Sequence, residues 1–153
     1  MKSNTDRIEK SIEIKAPVAR VWKALTDYKE FSAWFGVNLE SPFVIGQATR
    51  GNITYPGYEH LVMEVVVQRI EPERLFSYQW HPYAVDPQVD YSQEPPTLVE
   101  FHLEKTASGT RLTVIESGFD AVPAARRDEA FRMNSQGWAA QVERIAAYVT
   151  DTP

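Results

Sequence analysis

Residues 123–150 read PAARRDEAFRMNSQGWAAQVERIAAYVT, and this stretch decides the fold. Phe131, Ser135, Trp138, Val142, Ile145 and Val149 recur at steps of four and three, the period of one helix face. The spacing predicts a single unbroken helix about 42 Å long. Its two halves differ. The C-terminal half offers a plain core stripe of Val142, Ile145 and Val149. The N-terminal half offers Phe131, Asn134, Ser135 and Trp138, with Gly137 beside them. Small and polar residues on an inward stripe predict that this end faces a cavity. The alternative is that Asn134 and Ser135 point sideways into water, because such a stripe is only about 100° wide.

Upstream of this helix lies a run of alternating segments. Residues 37–39, 48–54, 61–70, 75–80, 98–104 and 111–117 read as short strands, separated by the turn signals Ser41-Pro42, Pro56-Gly57, Glu71-Pro72 and Ser108-Gly109. Residues 7–15 alternate too, with Ile8, Ile12 and Ile14 on one face and Lys10 interrupting it. Pro17 then suits a helix start, where its missing N–H had no partner. Val18, Val21, Trp22 and Leu25 follow at helical spacing, and a second short helix over 31–35 stops at Gly36. The expected architecture is α+β in a single domain spanning 1–153: a curved antiparallel sheet wrapped around the long C-terminal helix, with two short helices after the first strand. One helix cannot fill the concave side of a bent sheet, so a cavity is expected between them.

The composition narrows the function. A net charge of −5 with scattered Lys and Arg argues against a nucleic-acid partner. The absence of cysteine excludes disulfides, thiol nucleophiles, Cys-bound zinc and Cys-ligated iron–sulfur clusters. No run approaches the roughly 18 apolar residues of a membrane span, and the first residues lack the apolar core of a signal peptide. A cytoplasmic protein with no membrane partner is the simplest expectation. No GxGxxG, GxxxxGK[ST], GxSxG or HExxH motif is present. Glu100 and His102 share a strand face, but metal sites need three or four converging ligands, so neither metal nor cofactor is expected.

Three features are candidates for a site. Phe76, Tyr78 and Trp80 alternate on one strand face, and Val99, Phe101 and Leu103 on another. Core packing accounts for such aromatics in general. Tyr78 and Trp80 nevertheless carry polar handles, and a proline-rich loop begins directly after them. That loop, residues 81–96, has four prolines and two tyrosines, and its length suits a lid in which Tyr83 or Tyr91 covers the opening. Glu116 is the third feature. Alternation puts it on one face with Leu112 and Val114, where a carboxylate must be paired, hydrogen-bonded or raised in pKa. An arginine, Tyr78 or Asn134 could partner it. The pocket expected from these residues is bounded by Tyr78, Trp80, Phe101, Phe131 and Trp138, with Trp34 near one end and Glu116 and Asn134 as its polar groups.

Four segments, IKAPVARVWKALTDYKEFSAWFG, IEPERLFSYQW, TRLTVIESGF and NSQGWAAQVERIAAYV, together resemble the heat-shock-chaperone ATPase activator homologue-like family. That family lies within the START and polyketide-cyclase (SRPBCC) superfamily of helix-grip folds, and the resemblance covers residues 7–149. It implies an apolar pocket between the long helix and the sheet, without a shared catalytic constellation. Where relatives often carry histidine before the Ser-Gly-Phe of residues 117–119, this chain has Glu116. The leading expectation is a protein that binds a small apolar or aromatic molecule, with Glu116 as an anchor for its polar end. A cyclase, hydratase or hydrolase using Glu116 as acid/base, and a co-chaperone-like interaction protein, are the alternatives. Whether there is turnover, and whether the chain forms a homodimer, stay open at this point.

Overall fold

Alternation in Arg7–Ile14 buries Ile8 and Ile14 and sets strand β1, the edge of one seven-stranded sheet. The structure, a computed structural model, describes residues 6–86 and 88–153. After β1 come helices α1 (Val18–Thr26) and α2 (Tyr28–Phe35). Strands β2 (Val37–Leu39), β3 (Ala48–Ile53), β4 (Val62–Glu71), β5 (Leu75–Trp80), β6 (Thr97–Lys105) and β7 (Thr110–Ser117) follow, then helix α3 (Ala124–Asp151). The sheet order is β1-β7-β6-β5-β4-β3-β2, every neighbouring pair antiparallel. The register slips between Val67 and Arg69 on β4, a bulge of the kind that bends a strand.

Asp27 separates the two short helices. Its carboxylate accepts from the backbone N–H groups of Lys29 and Glu30 at 2.9 and 3.3 Å, satisfying donors that α2's first turn leaves free. Gly36 ends α2 at φ +91°, where a Cβ would stand 2.6 Å from the Tyr55 ring. Only glycine meets both demands there.

Helix α3 buries Trp138, Val142, Ile145 and Val149 and packs against β1, β7, α1 and α2. Asn134 and Ser135, at its N-terminal end, are half-buried. The inner face of the sheet forms rows across the strands. One row joins Ile8, Glu116, Val99, Tyr78 and Val67 as successive cross-strand partners. The space expected between sheet and helix is largely taken by side chains from α2. Phe31, fully buried, lies 5.0 Å from Phe35, 5.4 Å from Phe43 and 6.4 Å from Tyr78, ring centre to ring centre. An aromatic wedge therefore fills the middle of the concave face, and open volume is left at its rim.

Candidate functional site

Glu116 is 0% exposed, and its carboxylate is surrounded by donors. Trp80 Nε1–H and Thr97 Oγ1–H donate to Oε2 at 2.7 and 2.6 Å. Trp138 Nε1–H donates to Oε1 at 2.8 Å. The Asn134 amide nitrogen bridges both oxygens, at 3.0 and 3.2 Å. The register explains the convergence. Trp80 and Thr97 face each other across β5 and β6, one pleat beyond the row that holds Glu116. Asn134 and Trp138 stand one turn apart on α3 and reach down from the other side. Burial pushes the Glu116 pKa up, while the bonds from Thr97, Trp80, Trp138 and Asn134 pull it back; burial prevails. Two indoles and an amide NH₂ can only donate, so this shell fits an ionised carboxylate. Thr97 alone could turn its hydroxyl to accept a proton from it.

Tyr78 stands in the same row, two strands away, and does not complete this shell. Among the described residues its buried hydroxyl has no hydrogen-bond partner, and burial, with the nearby Glu116 charge, holds its pKa well above the usual tyrosine value. Among the described residues no arginine bonds to Glu116 either; its partners are the four donors named above.

The open volume lies beside this shell. Hollows of about 270, 150 and 840 Å³ adjoin one another and share wall residues, forming one cleft. The smallest is walled by Phe35, Trp80, Asn134, Gly137, Trp138 and Gln141, so three of the four Glu116 donors form its base. The second lies under the 81–96 loop, between Trp80, Met63, Tyr83 and Tyr91. The largest runs outward between the β3–β4 hairpin and α3, from Ile53 and Leu61 to Tyr55, Ala140 and Arg144. Trp80 and Trp138 lie 5.7 Å apart at an interplanar angle of 31°, each about 6 Å from Phe35.

The other expected site residues fall elsewhere. Tyr78 and Phe101 are fully buried behind Trp80 and Trp138, 5.8 Å from one another. Phe131 packs on Phe119 at 5.2 Å. Trp34 is buried against Phe31 and donates its indole N–H to the Ala24 carbonyl at 2.8 Å. Glu100 and His102 lie on the outer face of the sheet, 3.8 Å apart. Gly137 lines the cleft, at the end of α3 expected to face a cavity, whereas Thr97, Gln141 and Arg144 escaped the sequence reading. For Thr97 the signal was its place directly across from Trp80; for the others it was the flank of α3 beside the buried stripe.

The 81–96 loop covers one side of the cleft and is tied to the start of α3; Pro87 lies outside the described residues. Arg126 donates through Nε and Nη2 to Glu94 Oε1 at 2.9 and 2.6 Å, and through Nη1 to the Pro82 carbonyl at 2.7 Å. Its guanidinium also sits 4.7 Å over the Tyr91 ring. His81 Nε2–H donates to the Glu94 carbonyl at 2.9 Å, closing the base of the loop. Tyr83, at φ +49°, lines the cleft from a backbone conformation rare for a bulky residue.

A bent antiparallel sheet gripping one long helix, with an apolar cleft at its rim, defines the class: an α+β helix-grip fold of the START/SRPBCC kind. Within that class the family model described as "Activator of Hsp90 ATPase homolog 1-like protein" matches residues 15–150, and the chain belongs to this family. Solved structures agree in fold. Protein MLL2253 from Mesorhizobium loti is 24% identical, with a TM-score of 0.76, over 96% of this chain and 98% of that one. Protein Ms6760 from Mycobacterium smegmatis is 18% identical at a TM-score of 0.76, covering 99% and 95%. DynU16, a putative protein in the dynemicin biosynthetic locus, is 26% identical at 0.72, over 95% of this chain and 47% of that one. No protein of curated function matches the sequence. Among the described residues, no helix is long and apolar enough to cross a membrane.

Proposed function

We propose that the protein binds a small apolar or aromatic molecule in the cleft beside Trp80 and Trp138. The observation that carries this reading is the fixed aromatic wall. A buried carboxylate holds both indoles by their N–H groups, so their faces meet an occupant already oriented. Gly137 supports it from the helix side: a Cβ built there meets nothing within 4 Å, so no packing contact requires the glycine. Glycine inside a helix costs about 1 kcal/mol relative to alanine, and here its smallness leaves the floor of the cleft open. The neighbour DynU16, from the dynemicin biosynthetic locus, lends support to a small-molecule role in this fold.

The Glu116 shell favours binding over acid/base catalysis. Both oxygens are engaged by protein donors, and a general acid or base must reach the proton it transfers. Glu116 then serves the ligand indirectly, by setting the indoles. The reading is tested by titrating the protein with naphthalene derivatives while following the indole N–H signals of Trp80 and Trp138 by NMR. Both signals should shift, and Gly137→Phe, which fills the floor, should abolish the shifts while leaving the fold intact. Unmoved indole signals at saturating probe would defeat it.

A further inference from the structure

The outer part of the cleft has an uncompensated charge. Arg144 lines it, with its guanidinium carbon 4.3 Å from the centre of the Tyr55 ring. Among the described residues it makes no hydrogen bond or ion pair. The lining of this hollow contains no carboxylate, although the chain as a whole has a net charge of −5. The nearby Glu59 is engaged locally, its carboxylate accepting from Gly57 N–H at 2.7 Å. A guanidinium held over a ring still has N–H donors to offer, and the arginine fork pairs with a planar carboxylate. One turn back, Gln141 donates to the Phe35 carbonyl at 2.9 Å, and its own Oε1 is buried without a partner among the described residues. This flank of α3 thus presents a cation with open N–H donors at the edge of a mostly apolar hollow, and the Gln141 oxygen, an acceptor, contributes nothing to holding a carboxylate.

We infer that the cleft selects an apolar or aromatic carboxylic acid, whose ring system lies between Trp80 and the α3 flank and whose carboxylate pairs with Arg144 at the rim. The inference rests on the binding reading above and adds the chemical class of the ligand. The Tyr55 contact orders the guanidinium before binding, so less side-chain freedom remains to be lost. Fixed on one side of a mostly apolar opening, whose lining also includes His60 and Gln141, the charge sets which end of the ligand enters last.

The test compares 2-naphthoate with its neutral counterpart 2-naphthamide, titrated into the full chain and followed by the Trp80 and Trp138 indole signals. Wild type should bind the acid about tenfold more tightly than the amide, the scale of one charge-assisted hydrogen bond at a partly exposed site. Arg144→Met should bring the two to parity by weakening the acid alone. Arg144→Lys, which keeps the charge but loses the fork, should retain part of the preference. Arg144 is exposed, so circular dichroism of the variants should match wild type. Equal affinities in wild type, or a preference that survives Arg144→Met, would overturn the inference while the binding reading stands. If neither compound moves either indole signal, the binding reading fails and takes the inference with it.

Discussion

Replacing Glu116 by glutamine keeps its shape and exchanges one acceptor oxygen for an NH₂. The four side chains around it supply donors on both sides. If the new NH₂ faces Thr97 and Trp80, the hydroxyl can turn to accept it, but the Trp80 N–H meets another donor. If it faces Asn134 and Trp138, the asparagine amide can flip, but the Trp138 N–H is stranded. Either orientation leaves one indole N–H unpaired, at a cost of about 1–3 kcal/mol, and weakens bonds that had a charged acceptor. Relief of the carboxylate's desolvation offsets part of this. We expect a net loss of about 2 kcal/mol at neutral pH, or about 4–8 °C in Tm for a domain of this size. The pH dependence supplies a second readout. Burial raises the folded-state pKa, so the folded protein keeps this proton to higher pH than the unfolded chain does. The contribution of Glu116 to stability is therefore full below the ordinary glutamate value and is lost as pH rises through the folded-state value. The glutamine variant has no such dependence, so the wild-type advantage should narrow as pH climbs out of the ordinary glutamate range. Thermal unfolding of both proteins across acidic to neutral pH makes the measurement. A variant as stable as wild type at pH 7, or a gap that widens with pH, would refute the reasoning.

Tyr78→Phe removes a buried hydroxyl that has no partner among the described residues, a group that costs about 1–3 kcal/mol when left unsatisfied. Its urea midpoint should equal or exceed wild type, and a loss above about 1 kcal/mol would mean that the hydroxyl is bonded. Gly137→Ala adds a methyl where a Cβ touches nothing within 4 Å and should stabilise α3 by about 0.5–1 kcal/mol in chemical denaturation; a loss would show the position to be crowded. Arg126→Ala removes the contacts to Glu94, Pro82 and Tyr91. Amide exchange at Asp86, Val89 and Glu94 should speed up by about tenfold or more, while exchange in β5 and β6 stays unchanged. Uniform acceleration would instead place Arg126 in the global fold.

The elements were legible because their periods are clean. Alternation sets each strand within a residue or two, and it also turned Glu116 inward beside Leu112 and Val114. The identity of its partners was only half legible. Asn134 was within reach of the argument, as α3 must cross the end of β7. Tyr78 was not excluded by alternation, which says which face a side chain takes but not where its hydroxyl ends. The wedge of Phe31 and Phe35 was hidden for a similar reason: the apolar spacing of α2 identifies its buried face but not the depth to which it enters the sheet. The outer cleft was least legible of all. It joins Ile53 and Leu61 to Ala140 and Arg144, residues far apart in the chain whose meeting depends on how the β3–β4 hairpin curls toward the helix.

The Glu116 shell also selects a single position for α3 along its own axis. Slid by one turn, about 5.4 Å, the helix would present Val142, Ala146 and Val149 where Trp138, Val142 and Ile145 now lie. All three are apolar, so the packed stripe alone discriminates weakly against that alternative. Glu116 discriminates more strongly: Val142 offers no N–H where Trp138 did, so the buried carboxylate would lose one of its donors. The same slide would carry Gly137 away from Tyr83 and Arg144 off the Tyr55 ring. The outline of the cleft is thus indexed by a charge set back from its walls, much as a lone polar residue fixes the stagger of two helices in a coiled coil.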